Sequence, residues 1–210
     1  MDNLRRILEI PSFLIEKETL VDEKQVYIRP LYIELIYLYP DILNDLVEEI
    51  AKELQVLQPS VLFAIEASVL PLASLIAKWL QIPLSIVRKP RNFCHEIDEP
   101  NLFLTSVKEY NAKLLERPVL MDDALWSGFT IDGVFDLFEK MEIPFPQLYF
   151  LFDFYEFNSG GAKLNKKYKQ IVENRICWHT YQDILDLAFQ LDLITKKAYQ
   201  ESIKLMNYWY

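Results

Sequence analysis

Two adjacent carboxylates, Asp122 and Asp123, follow a short apolar run at residues 119–121 and precede a Ser127-Gly128 turn and a helical pattern that opens at Thr130. Such a run reads as a buried strand, with the acidic pair at its carboxyl end. In an open parallel sheet, ligands bind beyond the carboxyl ends of the strands. A tight turn feeding a helix there directs free N–H groups and the positive end of the helix dipole outward, which suits a phosphate. Neighbouring carboxylates suit sugar hydroxyls or a divalent cation. The pattern predicts a phosphorylated-sugar site built from Asp122, Asp123, Ser127, Gly128 and Thr130, with Asp122 and Asp123 as the metal-ligating pair. A strand-end cap in solvent is the competing reading of the acids, and a plain helix cap accounts for Thr130 as well as a phosphate does.

A second group is cationic. Arg88, Lys89 and Arg91 place three positive charges within four positions after an apolar run at 83–87. They form either a solvated loop face or an anion site, and their density at a strand end favours the anion site. His95 beside Cys94 is no nucleophile–base pair, because side chains adjacent in sequence rarely face each other productively.

Composition narrows the classes. The chain has 210 residues, 51% hydrophobic and 25% charged, enough for one sizeable core. Its net charge of −9 argues against nucleic acid and against an anionic membrane surface. Two cysteines and two histidines match no metal spacing and read as reduced thiols in a cytoplasmic setting. No apolar run approaches the length of a membrane span, and the first residues lack the pattern of a secretory signal. Only four glycines are present, few for a chain that is to cradle phosphate.

The elements that must position these groups follow from periodicity. Helices are expected at 4–10, from Asp41 onward, at 70–80, at 130–141, and at 181–189 and 195–206. Strands are expected at 25–32 (an edge strand, given Pro30), 61–65, 83–87, 119–121, 147–152 and briefly within 171–178. Residues 88–117 read as a long connection, the kind that is often a functional lid. Strands alternating with helices predict a single α/β domain: a mostly parallel twisted sheet with helices on both faces, a small N-terminal hood over residues 1–35 and closing helices within 175–210.

Taken in order, these segments resemble the type I phosphoribosyltransferases, and the orotate-specific branch most of all. The resemblance runs through Thr19-Leu20 and Tyr27-Ile28, Tyr39 to Leu43 at the first long helix, Pro71-Leu72-Ala73 at the second, residues 83–89 ending in Arg88-Lys89, the Asp122-Asp123 pair, and Thr180 to Leu185 in the closing helices. It implies an acidic pair on the ribose hydroxyls of phosphoribosyl diphosphate and a turn on the 5-phosphate. It also implies Arg88, Lys89 and Arg91 on the diphosphate, magnesium as cofactor, and a homodimer sharing a mobile loop. In such chemistry, cations stabilise charge on the leaving diphosphate while an oxocarbenium-like ribose forms.

The departures fall at the chemistry. Trp126 and Phe129 stand where small residues belong; they either stack on a base or fill the pocket, and their bulk favours filling. Residues 67–70 replace a turn that normally carries glycine, and acidic residues follow His95 on the lid. In Asp153-Phe154-Tyr155-Glu156, Phe154 replaces an Arg that would hold the orotate carboxylate. Trp126 and Phe154 are therefore the candidates for the base pocket.

Three functions follow, in order of preference. The first is a divergent relative that binds a phosphoribosyl or nucleotide ligand without efficient orotate transfer and senses that ligand or binds a protein partner. The second is an active transferase with another acceptor base. The third is a structural subunit with an occluded pocket. The aromatic end of the chain, Tyr208-Trp209-Tyr210, is the candidate patch for a protein partner.

Overall fold

The computed structural model describes residues 2–21, 24–30, 33–88, 103–104, 113–125, 128–154 and 166–207. The N-terminal part comprises α1 (Asp2–Leu8), an antiparallel hairpin of β1 (Leu14–Val21) and β2 (Lys24–Pro30), and a 3-10 turn (Ile33–Leu38). The body follows as α2 (Pro40–Val56), β3 (Val61–Ile65), α3 (Leu70–Leu80), β4 (Leu84–Arg88) and β5 (Phe103–Leu104). It continues through β6 (Pro118–Leu125), α4 (Phe129–Lys140), β7 (Gln147–Asp153), α5 (Lys169–Glu173), β8 (Ile176–Thr180), α6 (Tyr181–Gln190) and α7 (Lys196–Asn207).

The main sheet has the order β5-β4-β3-β6-β7-β8; the five strands from β4 to β8 run parallel and β5 pairs antiparallel with β4 at the edge. The single α/β domain with a mostly parallel sheet is as the sequence predicts. β3 reads VLFAI and is buried at every position, because a parallel strand covered on both faces needs apolar side chains both ways. Its alternate residues feed two cores. Leu62 and Ala64 join Ile50, Leu54, Leu72 and Ile76 under α2 and α3. Val61, Phe63 and Ile65 join Val134, Phe135 and Phe138 under α4, with the Phe63 and Phe138 rings edge-on at 4.9 Å. Fully burying side chains of this size stabilises by roughly 1.5–3 kcal/mol each.

Three findings differ from the sequence expectations. First, residues 14–21 form a strand, although Glu16, Lys17 and Glu18 hide the alternation; hairpin pairing with β2 supplies the backbone partners that a charged segment cannot obtain by burial. Second, the long connection contains β5, a two-residue strand too short to show periodicity. Third, β6 does not stop at Met121 but runs to Leu125, so the acidic pair lies inside the strand.

The closing helices are capped by side chains. At α6, Thr180 and Asp183 form a reciprocal capping box: the Asp183 N–H donates to Thr180 Oγ1 at 3.2 Å, and the Thr180 N–H donates to Asp183 Oδ2 at 2.8 Å. Just before α7, Thr195 Oγ1 accepts the Ala198 N–H at 3.1 Å. Between β7 and β8, Arg175 is fastened to Asp153 through Nε at 2.6 Å and a terminal nitrogen at 2.5 Å, with side-chain exposures of 11% and 7%. On β8, burial lowers the pKa of His179 from its ordinary 6.5, with Asp183 and Glu49 opposing the shift.

Two predictions follow from these contacts. Arg175→Leu strands a buried carboxylate and should destabilise by roughly 3–5 kcal/mol in urea unfolding, whereas Arg175→Leu with Asp153→Leu should lose less than that single change. For His179, the unfolded chain takes up the proton first, so the folded state is favoured above about pH 6.5 and loses stability as pH falls below that value. Unfolding midpoints measured from pH 7 down to pH 5 should show this slope, and His179→Asn should flatten it.

Candidate functional site

The strand order reverses between β3 and β6. The chain leaves β3 toward β4 through α3, then returns to β3's other side and proceeds through β6 to β7 and β8. A crevice opens outside the carboxyl ends of strands at such a switch point. β6 pairs with β3 only as far as Met121, opposite Ala64, but with β7 as far as Leu125, opposite Asp153. Asp122 and Asp123 therefore sit on the stretch of β6 that outlasts the ladder to β3, next to the turn where that chain swings into α3.

Successive side chains of a strand point to opposite faces. That alternation breaks across the pair: Met121 and Ala124 pack with the core under α2 and α3, while Leu120 and Leu125 join the core under α4. Asp122 is 7% exposed, and its Oδ1 accepts the Asp123 N–H at 3.0 Å. Asp123 is half-buried; its Oδ1 accepts the Ala124 N–H at 2.9 Å and its Oδ2 accepts the Ser68 hydroxyl at 2.6 Å. Ser68 belongs to the turn between β3 and α3, in which the Glu66–Ala67 peptide is cis. The Tyr37 hydroxyl donates to the Ser68 carbonyl at 2.5 Å, tying that turn to the N-terminal part. Burial, with added negative charge from Asp123 and Glu34, drives the Tyr37 hydroxyl well above its ordinary pKa against a lowering contribution from the Leu72 backbone. The phenol therefore stays protonated and donates.

At the start of α4, Gly128 occupies the N-cap with φ 79°, a left-handed conformation that a side chain would disfavour, and no side chain caps the helix. Thr130 is the second helical residue and half-buried, so it is part of the first turn and not the cap. The first N–H groups of this helix thus receive no side-chain acceptor at the cap. Across β3 lies Arg88, the last residue of β4. Its Nε is buried and has no hydrogen-bond partner among the described residues. By register, Val87 aligns with Ile65, and Met121 with Ala64. Arg88 and Glu66 therefore follow the last β3–β4 pair side by side, while Asp123 lies two residues beyond the last β3–β6 pair.

Phe154 follows β7, its N–H on the Leu125 carbonyl at 2.9 Å. Its ring is 1% exposed and packs against Tyr181 of α6 at 5.1 Å. The structure thus assembles Arg88, Asp122, Asp123, Gly128, Thr130 and Phe154 along one carboxyl edge. Lys89, Arg91, Trp126, Ser127, the Cys94-His95 pair and Tyr208 to Tyr210 lie outside the described residues. Among the described residues no cluster of His, Cys, Asp or Glu is arranged as a metal cage, and no helix is long and apolar enough to cross a membrane. An open cleft of about 360 Å³ lined by Arg6, Glu9 and Leu38 to Ile42 shares no residue with this edge. Sequence reasoning missed Ser68 and Tyr37; their one signal was position, Ser68 in the turn beside the switch point.

Solved structures share this fold. UMP synthase from Leishmania donovani superimposes with a TM-score of 0.69 at 19% identity over 99% of this chain, which spans 42% of that protein's length. Orotate phosphoribosyltransferase from Aeropyrum pernix gives 0.65 at 14% identity, covering 91% of this chain and 99% of the other. Adenine phosphoribosyltransferase from Thermoanaerobacter pseudethanolicus gives 0.58 at 19% identity over 83% and 99%. The chain has the type I phosphoribosyltransferase fold. No family model and no curated protein matches its sequence. At these identities the likeness concerns the fold, and within a phosphoribosyltransferase fold the function must be argued from the site.

Tyr37→Phe removes the anchor of the turn between β3 and α3. It should cost about 1 kcal/mol of unfolding free energy and speed amide hydrogen exchange at Leu70, Leu72 and Ala73, with α5 and α6 unchanged.

Proposed function

We propose that this protein binds a phosphoribosyl or nucleotide ligand at the carboxyl edge between β3 and β6, and that it is a divergent relative of orotate phosphoribosyltransferase without efficient orotate transfer. The observation carrying the reading is the placement of the acidic pair on the overhang of β6, at the switch point. The start of α4, without a side-chain cap, lies on one side of the pair, and the Arg88 Nε, without a partner among the described residues, on the other. Hydroxyl groups of a ribose match carboxylate acceptors, the N–H groups of α4 match a 5-phosphate, and Arg88 matches a further anionic group. Ser127, Lys89 and Arg91 join these groups in the reading by their place in the sequence.

Magnesium suits hard oxygen donors and is typically held by one or two carboxylates together with ligand phosphates and water. Asp122 and Asp123 fit that role only with oxygens from the ligand, since among the described residues they belong to no group of acids, histidines or cysteines able to hold a metal. Bound there, the ion would neutralise phosphate charge.

The divergence rests on Phe154. A buried phenyl ring offers no charge-assisted hydrogen bonds to an orotate carboxylate, and any base-pocket role for Phe154 would be through packing alone. A ligand sensor or partner-binding protein tolerates that loss; an efficient orotate transferase does not.

Calorimetry with phosphoribosyl diphosphate and magnesium should show saturable binding, and Asp122→Asn with Asp123→Asn should abolish it; unchanged affinity in the double variant overturns the site. Diphosphate release assayed over a panel of bases should stay far below 1 s⁻¹, roughly the lower end for typical enzymes. Turnover near that rate with orotate or any other base replaces the sensing role with a transferase.

A further inference from the structure

On the basis of the site proposed above, we infer that the Ser68 hydroxyl occupies the place on Asp123 that a ribose hydroxyl must take, making Ser68 an affinity-determining residue that ligand has to displace. Three observations converge on Ser68. Its Oγ donates to Asp123 Oδ2 at 2.6 Å, while Oδ1 of the same carboxylate already accepts the Ala124 N–H at 2.9 Å. Each carboxylate oxygen therefore already accepts one hydrogen bond from the chain, so a ligand hydroxyl competes with Ser68 for the direct approach to Oδ2. The turn bearing Ser68 is also held from behind, since the Tyr37 hydroxyl donates to the Ser68 carbonyl at 2.5 Å. The backbone thus stays in place, and the Ser68 side chain clears Asp123 by rotating about its own χ1. Finally, Asp123 lies on the stretch of β6 beyond the ladder to β3, so the Ser68 contact bridges β6 to the turn where β3 leaves the sheet.

The chemistry is a like-for-like exchange. A serine hydroxyl and a ribose hydroxyl are both single O–H donors to a carboxylate acceptor. A ligand that reaches Asp123 gains one charge-assisted hydrogen bond and loses the protein one of equal kind. Its net affinity then comes from the phosphate contacts at α4 and Arg88. The Ser68 contact is a positioning interaction for Asp123 in the empty protein and a competitor in the occupied one. Removing the hydroxyl leaves Asp123 Oδ2 without this internal donor and makes a ribose hydroxyl more valuable there.

The test is calorimetry on the full chain with magnesium and ribose 5-phosphate, repeated with 2,3-dideoxyribose 5-phosphate. Ser68→Ala should bind ribose 5-phosphate roughly tenfold more tightly than the natural protein and leave the dideoxy compound unaffected. Ser68→Thr, which keeps the hydroxyl, should stay near the natural affinity. An unfolding midpoint for each variant separates a local change from loss of fold. Equal or weaker binding in Ser68→Ala, when the natural protein binds, overturns the displacement and leaves the site standing. An equal gain for the dideoxy compound also overturns it, since the effect would not involve a ring hydroxyl. If neither protein binds any ribose phosphate, the site reading fails, and this inference with it.

Discussion

β6 is longer than its neighbour β3, and the candidate site is a consequence of that mismatch. Where β3 turns into α3, β6 continues for four residues supported only by β7. A strand edge left in this way presents main-chain groups that need partners. Asp122 and Asp123 answer part of that need by accepting the N–H groups of Asp123 and Ala124. The acids are at once backbone partners for an interrupted ladder and the anchor points for whatever enters the crevice. Ser68, reaching from the departing chain, closes the gap from the other bank. Remove the overhang, and the turn, the acids and the start of α4 no longer share one edge.

Charge acts on that edge in two directions. The chain carries a net charge of −9, yet Arg88 holds a buried Nε without a protein partner among the described residues. Burying a charged donor without an acceptor is costly, so its persistence beside a crevice favours an anionic visitor. Elsewhere the same chemistry serves architecture: Glu53 accepts the Tyr149 hydroxyl at 2.6 Å and Glu49 accepts the Trp178 indole N–H at 3.1 Å, holding α2 to β7 and β8.

Much of the fold was legible in the residues because burial imposes short-range patterns. Residues 61–65 and 70–80 carry a run and a period that end where β3 and α3 end, and the three- and four-residue steps beyond Asp41 are the buried face of α2. The hairpin strand β1 was not legible, since its charged residues mask the period and its partner lies across a turn. The two-residue β5 offered too few positions for any pattern. The length of β6 was obscured for a different reason: aspartates are depleted in strands, so an acidic pair reads as the end of one. Here β7 carries the strand past them.

Most of the helices and core strands, the apolar faces that bury them, the acidic pair and the cationic run were determined by the sequence itself, because each depends on neighbours no more than a few residues away. Only the tertiary structure decided that β6 outruns β3 at the acidic pair, that Phe154 lies buried on Tyr181 and that Ser68 meets Asp123 fifty-five residues along the chain. Those relations depend on strand order and register. Both are settled by how two cores pack against one sheet, and no local run of residues encodes them.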